Sequence, residues 1–196
     1  MSIPYIATPD WSPFNVLPVG EKPPRTRSVR TPEGVGDRLR ATAFAELQAR
    51  EAFLWAAETF EDVPDELRRA WQGLAAAEDK HLRWLLKRMT ELGISITERA
   101  VSDFLWQSFI SCTSGAQFAE FMASAEERGQ TAGERFAADM AEVDPISAAL
   151  FERIAIEEEG HVAIERKFFP KVHSAQAPVE PKPPVPRVVS SSSETS

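Results

Sequence analysis

The chain has 196 residues, enough for one domain with a single core and little over for a second. Hydrophobic residues at 43% and charged ones at 27% give a globular balance, and no apolar run approaches the roughly 20 residues that a membrane span needs. A net charge of −8 disfavours nucleic acid as a partner, and the lone Cys112 excludes an internal disulfide. The start MSIPYIATPDWSPF lacks the basic flank, apolar stretch and cleavage site of a secretory signal, so a soluble, cytoplasmic protein with no membrane association is expected.

Proline divides the chain. Of 15, only Pro64 and Pro145 fall between Pro32 and Pro170, so the middle is expected to be helical and the ends not. Residues 1–30, with scattered prolines and aromatics, read as an extended N-terminal arm lying on a surface. Thr31-Pro32-Glu33 then opens a first long helix that runs to about Phe60, a cap residue followed by proline at the first helical position. Asp62-Val63-Pro64 restarts the chain, and a second helix continues to Leu92, where Gly93 supplies a left-handed stop. Residues 93–113 form a long crossover whose apolar stretch AVSDFLWQSFI predicts a short helix. Ser114 with Gln117 is a capping-box start for a third long helix. Asp144-Pro145 ends it and opens a fourth. Residues 171–196, ending PKPPVPRVVSSSSETS, read as a disordered tail. Short, long and short connections predict an all-α, ferritin-like four-helix bundle over residues 31–170.

Heptad-like spacing picks the inward stripes. The first helix gives Leu39, Ala43, Glu46, Phe53 and Phe60. The second gives Leu67, Trp71, Leu74, Glu78, His81, Leu85 and Leu92. The third gives Phe118, Met122, Glu126, Gly129, Gly133, Phe136 and Met140, and the fourth Phe151, Ile154, Glu158, His161 and Phe168. Each stripe is apolar except near its middle, where carboxylates and imidazoles stand in place of leucine.

Glu78 with His81 and Glu158 with His161 are two Glu-x-x-His pairs whose side chains leave one helix face a turn apart. One such pair is more often a surface glutamate beside a satisfied core histidine. Here each is preceded at the same interval by an inward carboxylate, Glu46 and Glu126, and the set repeats with an offset of 80 residues. A duplicated helical hairpin related by a pseudo-twofold axis produces that pattern. The chain has only three histidines and two occupy matching positions, which favours a metal site over chance. Four glutamates and two histidines supply the charge and the nitrogen donors that a pair of metal ions requires, and an oxygen-rich set suits iron or manganese.

Residues 28–168 resemble a bacterial ferritin-like family, one of the domains of unknown function, related to the tRNA hydroxylase MiaE. The matching pieces are SVRTPEG, AFAELQA, AAEDKHLRWLLKRMTELG, AEERG and IEEEGHVAIE. The resemblance implies Glu46, Glu78, His81, Glu126, Glu158 and His161 as metal ligands, the set the spacing selects independently. Phe44 stands where relatives usually have histidine, Ala77 where they have an acid, and Glu157 where aspartate is usual. The first two put the outer hydrogen bonds of the first hairpin in doubt. Glu157 is a candidate outer partner that reaches a histidine of the opposite helix, or else a solvated member of an acidic run. Arg50 and Arg128 are expected to face water, with pairing to outer carboxylates as the alternative, Cys112 to be a small buried residue, and His173 to have no role.

The offset sets Gly129 against Ala49 and Gly133 against Phe53, leaving the third helix thin beside Glu126. A substrate or dioxygen pocket needs that missing bulk, and close helix packing explains the glycines equally well. The resulting expectation is an oxygen-activating di-iron oxidoreductase or hydroxylase acting on an unknown small-molecule substrate, with two iron ions, or manganese, or a mixed pair. Glu78 and Glu158 would bridge, Glu46 and Glu126 would be terminal, and His81 and His161 would each bind one metal; catalysis would run through these six. No C-x-x-C or G-x-G-x-x-G motif exists, so electrons would come from a separate donor protein. Ferroxidase or peroxide-scavenging activity, as in ferritins and rubrerythrins, is one alternative reading. A non-catalytic, metal-braced interaction protein is another. The only tyrosine, Tyr5, lies in the arm, which sets a tyrosyl-radical role aside. A tRNA substrate follows from the relative alone, and the short basic cluster of Lys22, Arg25, Arg27 and Arg30 argues weakly for it. A homodimer stays open.

Overall fold

The computed structural model describes residues 8–169. Tyr5, His173 and the tail expected to be disordered lie outside them. The described residues form five helices: α1 (Pro32–Thr59), α2 (Asp65–Glu91), α3 (Phe104–Phe109), α4 (Gly115–Met140) and α5 (Pro145–Phe168). None of them is long and apolar enough to cross a membrane. Among the described residues the only extended pairing is an isolated bridge between Val16 and Val101.

The helix ends follow the local chemistry of the sequence. Thr31 Oγ1 accepts the Gly34 N–H at 3.1 Å, and Pro32 occupies the first turn. At the end of α2, Gly93 adopts φ +67° while the N–H of Ile94 reaches back to the Met89 carbonyl, a left-handed stop. Ser114 Oγ accepts the Gln117 N–H. The return bond differs from the expected capping box: Gln117 Oε1 accepts the N–H of Thr113, one residue earlier. Gly115 is required by close approach, because a Cβ there would lie 2.1 Å from Val63 Cγ1; its N–H donates to the Asp62 carboxylate, which ties the α1–α2 turn to the start of α4. Asp144 caps α5 through the Ser147 N–H and accepts a bond from Arg88 of α2.

The short connections make α1–α2 and α4–α5 the two tightly packed hairpins. They face each other through α2 against α5, with slighter contact between α1 and α4. One end of the interior is aromatic: the Phe118 ring lies within about 6 Å of Phe53, Trp55, Phe60, Trp71 and Phe109. Leu39, Leu85, Met89, Met140 and Phe151 fill the other end. The inward stripes are buried nearly as expected. Leu92 and Gly129 are the corrections: Leu92 caps α2 at a helix end and is exposed, and Gly129 of the α4 stripe is exposed as well.

Residues 8–30 contain no helix. Trp11 and Phe14 are buried against Phe44 of α1, and Trp11 also against Trp106 of α3, so the arm covers the outside of the first hairpin. Phe44 is therefore the socket for the arm. Arg27, Arg40 and Arg99 converge on the buried Asp37. Burial alone would raise the Asp37 pKa, but the hydrogen bonds from Arg27 outweigh it and hold the carboxyl below its usual range.

Candidate metal centre

Helical geometry brings four carboxylates to one level, because Glu46, Glu78, Glu126 and Glu158 each lie near the midpoint of their helix. His81 and His161 follow one turn later on α2 and α5. None of the six is more than 8% exposed.

Each histidine reaches across to the other hairpin. His81 Nδ1 is 3.1 Å from Glu158 Oε1, and His161 Nδ1 is 2.9 Å from Glu78 Oε1 and 2.7 Å from Glu158 Oε2. The imidazoles stack with centroids 5.7 Å apart. Two groups of donor atoms result, each spanning no more than 4.8 Å: Glu46, Glu78, His81 and Glu158 in one, and Glu78, Glu126, Glu158 and His161 in the other. Glu78 and Glu158 belong to both.

Distance alone does not make these contacts hydrogen bonds. Nδ1 of both histidines, Glu78 Oε1 and Glu158 Oε2 are buried and have no correctly oriented partner. Orphaned polar atoms of that kind cost free energy unless something else binds them. Four carboxylates confined together press the same point. Burial, and then the charges of Glu126 and Glu46, push Glu78 well above the usual carboxyl range; burial, and then Glu158, do the same to Glu126. Burial works against a charged His81, yet the carboxylates of Glu158 and Glu46 raise its pKa to about 10. Burial also opposes ionisation of Glu158, and contacts from His161 and His81 overcome it and hold that carboxyl low. The pocket draws positive charge to itself. Lone pairs aimed inward, hard oxygen donors and two nitrogens fit a pair of divalent cations.

One histidine is anchored from behind. His81 Nε2 lies 2.8 Å from Glu157 Oε2, which in turn meets Lys80 Nζ at 2.5 Å. A proton held on Nε2 makes Nδ1 the nitrogen that a cation would displace a proton from, and its lone pair would then face the carboxylates. Glu157 does reach the histidine of the opposite helix and is not simply a solvated member of the acidic run. Among the described residues His161 makes its polar contacts through Nδ1, and the position 80 residues before Glu157 is Ala77.

Sequence reasoning missed Glu165, which is 2% exposed and accepts a hydrogen bond from Trp71 Nε1 at 2.7 Å. Burial raises its pKa to about 8, against the lowering effect of Trp71. It falls on the α5 stripe one turn after His161, so the periodicity could have found it. Arg50, expected to face water, instead pairs with Glu51 and with Asp79 at 2.9 Å. Arg128 is exposed and Cys112 buried, as expected.

A cavity of about 250 Å³ opens between α1 and α4 onto Glu46, Glu78, Glu126 and Glu158. Gly129 and Gly133 line it. A Cβ at Gly129 would meet nothing within 4 Å, whereas one at Gly133 would touch Ala155 at 3.4 Å. The missing bulk at Gly129 opens space, and that at Gly133 also serves close packing on α5.

Comparisons with curated proteins and with solved structures gave no match. A family profile does match, over residues 9–184, and the chain belongs to the family described as protein of unknown function (DUF455).

Proposed function

We propose that the protein is a ferritin-like carboxylate-bridged di-metal protein, most simply di-iron, and that it activates dioxygen to oxidise a small organic substrate. The observation that carries this reading is the pair of donor groups sharing Glu78 and Glu158, with the Nδ1 atoms of His81 and His161 buried, unpartnered and turned toward them. The resemblance of residues 28–168 to a ferritin-like family related to a tRNA hydroxylase supports it. So does the cavity, which a simple iron oxidase does not need.

Glu46 and His81 would hold one metal, Glu126 and His161 the other, and Glu78 and Glu158 would bridge them. When bound, such a pair supplies adjacent coordination positions and the redox capacity for reducing dioxygen. The chain's own residues hold and shield that centre. Glu157 keeps the His81 proton on Nε2. The aromatic end around Phe118 excludes water from one side, and Leu85 and Phe151 from the other. In a hydroxylation one oxygen atom of dioxygen enters a substrate C–H bond and the other leaves as water. Two electrons and two protons complete the balance, delivered by a separate donor protein.

Metal analysis of the purified protein, then anaerobic Fe(II) loading and exposure to oxygen under optical and Mössbauer observation, tests the reading. Two irons per chain, oxidised as a coupled pair, are expected. Less than one iron per chain, or a reduced protein inert to oxygen, overturns it; oxidation of many Fe(II) ions per chain would mark a ferroxidase instead.

A further inference from the structure

The walls of the cavity carry information about what enters it. Leu105, Phe109, Met122, Phe136, Phe151 and Ile154 provide its broad surfaces, and alanines and glycines of α1 and α4 form the rest. Apart from the four glutamates of the candidate centre, Thr42 is the single polar side chain in the lining. No cation, amide or histidine faces the space. The cavity is open on one side, where Ala41 and Gly129 are exposed; a polar group carried past that opening to the inner end would lose its hydration with little to replace it, at up to roughly 2 to 7 kcal/mol, and an ion would lose far more. An anion would also meet carboxylates. These costs vanish for a molecule, or the part of one, that has no polar groups to desolvate.

The size is also informative. An apolar cavity of about 150 Å³ in another protein holds benzene; about 250 Å³ scales to roughly ten carbon atoms. The volume is unfilled because the two hairpins differ. Phe53 of α1 is fully buried, while Gly133, its counterpart by the 80-residue offset, has no side chain, and Gly129 is the counterpart of Ala49. At its inner end the lining includes Glu46, Glu78, Glu126 and Glu158, the four carboxylates of the candidate centre. The cavity is thus an apolar chamber that ends on the candidate centre.

We infer that this chamber binds a neutral, apolar molecule or apolar moiety of about ten carbons, with the carbon to be oxidised lying over the Glu78–Glu158 pair. The chemistry in that statement rests on the di-metal reading; the binding rests on the cavity alone.

Naphthalene is a suitable probe, with 2-naphthoate as its charged analogue. Binding is followed by ligand-observed NMR on the full chain, both iron-loaded and metal-free, for the wild type and for Gly129→Leu and Ala45→Leu. These fill the chamber from α4 and from α1, and the Gly129 site has open space for a side chain. The expected result is that naphthalene binds the wild type, naphthoate binds at least about tenfold more weakly, and either filled variant loses naphthalene binding while keeping its helical content and its iron. Absence of naphthalene binding, equal binding of naphthoate, or undiminished binding in both folded variants overturns the inference. Iron stoichiometry, read separately on the same samples, decides the di-metal reading, so the two can fail independently.

Discussion

The two hairpins share a plan and differ in what surrounds it. In α1–α2 and α4–α5 alike, a lone glutamate on the first helix faces a Glu-x-x-His pair on the second, and each histidine crosses to the other hairpin's glutamate at about 3 Å. Around this symmetric core the small residues largely repeat, as at Ala43 and Ala123 or Ala75 and Ala155, while several larger or charged positions do not. His81 has Glu157 behind it, and His161 has Ala77 at the equivalent place. Leu85 is matched by Glu165, Phe53 by Gly133, and the first hairpin alone wears the arm. The demands of a charged, buried centre hold the six donors alike, because any one left unpaired is costly. The layer outside is free to diverge, and its divergence gives the site direction: one open side, one anchored histidine, one extra acid.

The largest effect should separate shared from unshared donors. Glu158→Ala removes an oxygen source from both groups and, on the proposed di-metal reading, is expected to reduce bound metal from two ions per chain toward none. Glu126→Ala touches one group only and should leave about one ion per chain. Plasma emission analysis after dialysis, with circular dichroism to confirm helix content, reads both. Equal losses in the two variants would show that the glutamates do not divide into bridging and terminal kinds.

Next comes Glu165, which has a leucine for its counterpart. Burial pushes its carboxyl up to about 8 in the fold, against an ordinary value of 4.5. Between those values the native state holds a proton that the unfolded chain has released, so this residue makes the metal-free protein lose stability as pH rises from about 4.5 through 8. Glu165→Gln keeps an acceptor for Trp71 and cannot ionise. It should match the wild type near pH 4.5 and exceed it by several kcal/mol at pH 8.5, measured by urea denaturation of metal-free protein. A constant difference across that range would mean that Glu165 does not titrate in the fold.

How far this was legible from sequence depends on whether a feature is periodic or relational. The four long helices were legible because Thr31, Ser114 and Asp144 are cap residues and because leucines and aromatics recur at helical spacing. The buried cluster of four glutamates and two histidines was legible because two histidines of three fall 80 residues apart within a repeated frame. Glu165 lies on the same period, but its burial depends on a hydrogen bond from Trp71, 94 residues away, and a tryptophan in a stripe reads simply as core. The pairing of Arg50 with Asp79 and the docking of Trp11 and Phe14 on Phe44 are contacts between elements, set by how the hairpin and arm pack, and no local pattern marks them. The cavity was half legible: the glycines pointed to missing volume, while their spacing could not tell open space from tight packing.

The anchoring of the histidines offers the finest test of the comparison. An outer acid fixes a ring's orientation and strengthens its free nitrogen as a donor, and losing one typically weakens metal binding by about 10- to 100-fold. Glu157→Ala removes the partner of His81 Nε2 and should weaken one of the two metal positions by that factor, leaving the other nearly unchanged. Lys80, which pairs with Glu157, would be left without that partner on a half-exposed surface, at little cost. The reverse change, Ala77→Glu, offers His161 the acid that its counterpart already has and should strengthen the weaker position. In a competitive titration with a chelator, the wild type should then show two separated binding steps. Glu157→Ala should lower the tighter one, bringing the two together, and Ala77→Glu should raise the weaker one to the same end. Divergence of the steps in Glu157→Ala would place the tighter site at His161 and reverse the assigned direction of the centre.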